Sequence, residues 1–208
     1  AIGAEIVYVG NVETKLLGDE RDWDRIAVVK YPTRRSFIEM QQRNDFKEKH
    51  VHKEAGMKET IVMGCLPVDL PIVEISETDW EDVPYPPSED DGPIAVLHVL
   101  KFESGTRMDE TPQDMEKYQE KAAEVGLKNG LRISGWFGVE GTIVGDGRKW
   151  DQVRFNTFPS KAAFMEVVND PNRLEAQKTH RERAIADTYT LIVRTSLDNL
   201  AASTSPSG

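Results

Sequence analysis

WDRIAVVKYPTRRSFIEM (residues 23–40) and WDQVRFNTFPSKAAFMEV (residues 150–167) follow one plan. Trp23-Asp24 matches Trp150-Asp151. Eight residues after each tryptophan comes an aromatic–proline pair, Tyr31-Pro32 or Phe158-Pro159, then Thr33 or Ser160, then Phe37 or Phe164. Downstream, His52 aligns with His180 after one residue's change in spacing, and Thr60 and Thr188 lie eight residues beyond each histidine. Upstream, GAEIVYVGNVETKLLGDE resembles SGWFGVEGTIVGDGRK. A repeat of so long a period reads as a duplicated domain and is too long for a solenoid.

Each copy resolves into elements. Residues 25–31 and 152–158 are rich in β-branched and aromatic side chains and closed by a proline that cannot donate to a ladder, which predicts strands. Thr33 and Ser160 are predicted N-caps of helices whose apolar residues include Phe37 and Met40, or Phe164 and Val167. TIVMGC and TYTLIVR supply a final strand. The second copy also has an apolar strand, IAVLHVLKF at 94–102, and a helix opening at Thr111-Pro112. In that helix Met115, Tyr118, Ala122 and Val125 fall at helical spacing, and Gly130 is its stop. The order β-α-β-β-α-β is the ferredoxin-like arrangement. Its helices cover one face of the sheet, so the other apolar face needs cover from a second unit.

The expected fold class is therefore α+β: two ferredoxin-like units packed sheet to sheet as an α/β barrel. The first unit, 1–68, begins at what should be its second strand, lacking the first strand and helix; IVEIS at 72–76 is a candidate replacement. An acidic, Pro-rich linker at 69–92 reads as solvated. The complete second unit, 93–196, and a tail at 197–208 expected to be disordered follow.

With these paired blocks and the following HKEAG and HRERA, the chain resembles the domain-of-unknown-function family thirteen-thirty, within the dimeric α/β-barrel superfamily. The W-D…[YF]-P-[ST]…F…H pattern, present twice, carries the resemblance, which spans most of 1–66 and 93–195. It implies a ferredoxin-like fold and the pairing of two such units. It implies no reaction and no cofactor.

The net charge of −10 is local. Residues 69–92 hold nine acids and no base, so the rest of the chain is nearly neutral. There is no basic face for nucleic acid and no apolar run for a membrane. Cys65 is the only cysteine, which excludes an intrachain disulfide, and no secretory signal opens the chain; both point to the cytoplasm. A homo-oligomer, in the simplest case a dimer, is the expected assembly, because an unpaired sheet edge recruits a partner.

Candidate site residues come from comparing the copies. His50 and His52 do not make a metal pair, since Lys178 replaces His50 in the second copy; no metal or cofactor is expected. Ala27 and Val29 of the first copy correspond to Arg154 and Asn156 of the second, which alternation puts on one strand face. A buried guanidinium needs a partner, and Glu140, a linker acid or a ligand anion would serve. His98 lies within the apolar strand 94–102. The expected constellation is His98, His180 and Glu140 as proton-handling groups, with Arg154, Asn156, Tyr118, Trp150 and His52 as ligand contacts. This predicts a small-molecule-binding barrel, either a cofactor-independent enzyme moving a proton on an anionic or carbonyl-bearing compound, or a non-catalytic binding or assembly module.

Overall fold

In the computed structural model of the protein, the described residues are 2–69, 78–104, 110–145 and 147–204. Seven strands form one antiparallel sheet: β1 (Glu5–Leu17), β2 (Arg25–Lys30), β3 (Val62–Pro67), β4 (Ile94–Phe102), β5 (Arg132–Val144), β6 (Gln152–Phe158) and β7 (Ile185–Asp198). Their order across the sheet is β2-β1-β7-β4-β6-β5-β3, and the sheet curls into a half-barrel. Between strands lie α1 (Arg34–Gln42), α2 (Asn44–Gly56), α3 (Gln113–Lys128), α4 (Lys161–Asn169) and α5 (Pro171–Ala176). A π-helical turn (Gln177–Arg181) joins α5 to the short α6 (Glu182–Ala184), and α7 (Leu200–Thr204) closes the described chain.

Local chemistry explains the element starts. Thr33 and Ser160, in extended backbone, accept from the amides of Ser36 and Ala163 at 3.0 Å, satisfying donors that a first helical turn leaves open. Asp170 caps α5 in the same way, with Pro171 at its first position. At α3 the expected threonine cap is absent. Pro112 stands at the cap without a side-chain bond, and the Thr111 hydroxyl is turned instead toward Gln152 and Arg154.

β4 is apolar on both faces because both are covered. Its odd residues Ala95, Leu97 and Val99 join Phe155, Leu191, Val193, Phe137 and Tyr8 on the concave side. Ile94 and Val96 pack with Phe158, Phe164, Val167 and Ile192 under the helices, and Leu100 and Phe102 pack with Met115. The concave core draws on the whole chain: Trp23, Ile26, Val28, Ile61, Met63 and Cys65 all pack against it. The strands of the first half therefore flank the second half on both sides. β1 pairs with β7, setting Val12 opposite Val193, and β3 pairs with β5, setting Cys65 opposite Val139. Val12 and Val139 each donate to the carbonyl of the aspartate after a tryptophan, Asp24 or Asp151, at 2.9 Å.

Two stretches differ from the reading of 69–92 as solvated linker and 197–208 as loose tail. Residues 78–92 are strapped to the second half. Trp80 Nε1 donates to the Gly130 carbonyl at 2.8 Å, and Val83 is buried. Ser160 Oγ donates to the Tyr85 carbonyl, and the Asp91 carboxylate accepts from the Lys161 and Ala162 amides at 2.9 Å. Asp91 is held by donors at the start of α4, which composition does not reveal. In the tail, Leu200 is fully buried in the concave core and anchors α7. IVEIS at 72–76 lies outside the described residues.

Candidate functional site

The helix-covered face of the sheet carries one polar row. The ladders set Thr190 of β7, His98 of β4, Arg154 of β6 and Trp136 of β5 side by side. Rows built on Val96 and Leu100 lie on either side, as alternation requires. Arg154 is 3% exposed. It donates to Gln152 Oε1 at 3.0 Å, to Gln119 Oε1 of α3 and to Thr111 Oγ1 at 3.4 Å. Its guanidinium carbon lies 4.0 Å from the Trp136 ring centroid. Every one of these partners is neutral.

Two further arginines are buried above it. Arg173 of α5 donates to the Tyr118 hydroxyl and the Val168 carbonyl, each at 2.9 Å, while its Nε has no partner. Arg181, on the π-helical turn, lies over the Tyr118 ring at 5.9 Å. Among the described residues, no carboxylate forms an ion pair with Arg154, Arg173 or Arg181. Burial, with Arg181 nearby, lowers the Arg154 pKa to about 9; burial also lowers that of Arg181. His98 responds most in kind: burial, then the charges of Arg181, Arg154 and Arg173, push its pKa down to about 3. It is a neutral imidazole at physiological pH, with Nδ1 3.2 Å from Thr190 Oγ1.

The π-helical turn has a simple origin. α2 runs unbroken over 13 residues, whereas the helical run from Pro171 to Ala184, which follows the second sequence block as α2 follows the first, holds one residue more. A π turn absorbs one inserted residue without breaking the helix. That turn carries Arg181 and His180. His180 Nδ1 lies 2.9 Å from Asp114 Oδ1 at the start of α3, and this contact is the largest cause holding the Asp114 carboxyl below its ordinary range.

The geometry brings together His98, Arg154 and Tyr118, places His180 at their margin, and puts Asn156 one row away opposite Val96. Three expected residues lie elsewhere. Glu140 is outside the row and accepts from Arg34 of α1 in an exposed ion pair. Trp150 is buried on the concave side, 5.5 Å from Tyr189 and under the Arg148 guanidinium. His52 is exposed on α2. Sequence reading missed Gln119, Gln152, Arg173 and Arg181. Gln152 was accessible to it, lying two residues from Arg154 on the same strand face.

Among the described residues no group of three His, Cys, Asp or Glu side chains is placed to hold a metal, and no helix is long and apolar enough to cross a membrane. A surface groove of about 440 Å³, lined by Val68, Ser134, Trp136 and Thr204 among others, shares Trp136 with the arginine cluster. What this arrangement offers chemically is a set of guanidinium groups, a neutral imidazole and hydroxyls, groups that can donate hydrogen bonds to an anion.

No protein-family model and no curated protein matches the chain. Two solved structures are similar to it. A protein of unknown function from Rhodopseudomonas palustris, RPA0582, is 28% identical with a TM-score of 0.43, over 50% of this chain and 83% of that one. The methylated form of RPA0582 is 25% identical with the same TM-score and coverage.

Proposed function

We propose that the convex-face cluster binds a small anionic compound, a carboxylate or phosphate, through Arg154, Arg181 and Arg173, with His98 as a neutral hydrogen-bonding neighbour. The observation that carries the reading is the burial of three guanidinium groups with no carboxylate paired to them among the described residues. Isolating such a charge from water costs several kcal/mol, and an anion offsets that cost by charge-assisted hydrogen bonds. The scaffold is read as two ferredoxin-like units sharing one barrel, as in family thirteen-thirty, with the anion site in the second unit only. Ala27 stands at the position of Arg154 in the first.

Binding without turnover is the reading favoured over catalysis. His98 is too weak a base in the ligand-free protein to take a proton near neutrality. The group best placed to move one is His180, oriented by Asp114 at the margin.

Thermal unfolding with inorganic phosphate, citrate and small mono- and dicarboxylates tests the proposal. A ligand at a hundred times its Kd adds about 2.7 kcal/mol, or about 5–11 °C for a chain of this size. Arg154→Met, which keeps the aliphatic bulk, is expected to abolish the shift. The proposal fails if no anion raises Tm, or if the variant retains the full response.

A further inference from the structure

We infer that the space between β2 and β3 is a seat for one strand–helix segment: an apolar extended strand running into an amphipathic helix whose end meets Gly3. β2 and β3 are the end strands of the sheet. The strands that match them in the second half, β6 and β7, are bridged by β4. Four further observations point the same way.

The first is a pair of equivalent ion pairs. In the second half Arg148, two residues before Trp150, meets Asp187 at 2.9 Å, reaching from the β6 side to β7 with β4 between. In the first half Arg21, two residues before Trp23, meets Glu59 at 3.7 Å, and Glu59 precedes Thr60 as Asp187 precedes Thr188. The same clasp therefore links the loops before β2 and β3, as Arg148 and Asp187 link the loop before β6 to the start of β7 across β4.

The second is Gly3. Gly130 ends α3 with φ +79°, and a Cβ there would lie 3.1 Å from Pro159. Gly3 has φ +69°, and a Cβ there would lie 2.9 Å from Pro32, the match of Pro159. It repeats, in conformation and packing, the glycine that stops a helix.

The third is missing cover. α4 buries Ala163, Phe164 and Val167 against β4 and the α3 side chains, whereas α1 buries nothing. Ile38 of α1 is 51% exposed, and Val29 of β2, the end strand beside the open position, is 40% exposed.

The fourth sets the chemistry of the occupant. Ala27 and Val62 stand where Arg154 and Thr190 flank His98, so the incoming strand carries an apolar residue at that position. A second copy of the chain does not fit: its own β4 is held between β6 and β7, and it would bring two end strands where the second half has one bridging strand.

The probe is a peptide of residues 94–128 of this chain carrying His98→Val, added to the full chain. Native mass spectrometry is expected to show a one-to-one complex, with amide exchange in β2 and β3 slowed at least tenfold. The peptide with His98 retained is expected to bind at least tenfold more weakly. Should the free peptide aggregate, residues 94–127 bearing the same change, joined directly to Ala1, give the α3–Gly130 register at Gly3 and the same protection. Unprotected β2 and β3 in both formats overturn the inference. So does a chain that alone forms a dimer with both edges already protected.

Discussion

Replacing His98 by leucine isolates a single titration. In the fold, burial and the charges of Arg181, Arg154 and Arg173 take its pKa from 6.5 to about 3. Above pH 6.5 neither folded nor unfolded chain protonates this ring, and it contributes nothing to pH dependence. Below 6.5 the unfolded chain takes up the proton and the folded one refuses it until about pH 3, so stability is lost as pH falls through that window. At about 1.36 kcal/mol per pKa unit the full drop amounts to about 5 kcal/mol, of which about 3 kcal/mol falls between pH 7 and pH 4. Leucine removes the titration and fits between Val96 and Leu100. It leaves the Thr190 hydroxyl without its partner, a cost of about 1–3 kcal/mol that does not vary with pH. Urea unfolding of both proteins from pH 7 to pH 4 separates the two effects. The wild type is expected to lose about 3 kcal/mol more than the variant over that range, by the linkage above. Parallel curves would refute the reasoning, because His98 would then be charging inside the fold.

Three further outcomes follow from packing and capping. Gly130→Ala forces an L side chain to φ +79° and sets its Cβ 3.1 Å from Pro159 and 3.2 Å from Trp80, so a loss of about 1–3 kcal/mol is expected in denaturant unfolding; an unchanged midpoint counts against it. Asp91→Ala removes the carboxylate that caps α4 and is expected to cost about 1–2 kcal/mol, with faster amide exchange at Lys161 and Ala162. Burial, then the nearby Glu140 charge, push the Cys65 thiol up to about 12, so a disulfide reagent at pH 8 should label the native chain far more slowly than the urea-unfolded one. Equal rates would show that β3 opens freely.

The sequence was most legible where a feature is local. The caps Thr33 and Ser160 follow from a hydroxyl before an apolar helix, and the two-faced burial of β4 follows from its unbroken apolar run. The neighbourhood of His98 and Arg154 was readable from alternation, because adjacent strands keep one face. Trp150, named as a ligand contact but equally readable as a core plug, packs in the concave core just before β6, where the chain has not yet adopted the strand's alternation. Glu140, expected as a partner for Arg154, is instead paired with Arg34 of α1, a contact between residues 106 apart that no local pattern signals. Arg181 depends on a π-helical turn whose one trace in the sequence is the extra residue between Trp150 and His180. The clamp of Asp91 on α4 joins residues 70 apart, and composition signals only acidity.

The ladder between β1 and β7 has a consequence for the order of events in synthesis. Tyr8 pairs with Asp198 and Val12 with Val193, so the β1–β2 hairpin acquires its second partner from β7, which follows β3 to β6 in the chain. The β4–β7 core closes through contacts nearer in sequence, whereas the β1–β7 ladder must meet the entropy of closing a much longer loop. Vectorial translation therefore leaves β1 and β2 waiting as an unsupported hairpin until β7 is released. A ribosome stalled before residue 185 holds a β3 that can already pair with β5 and a β1 whose partner β7 has yet to be made.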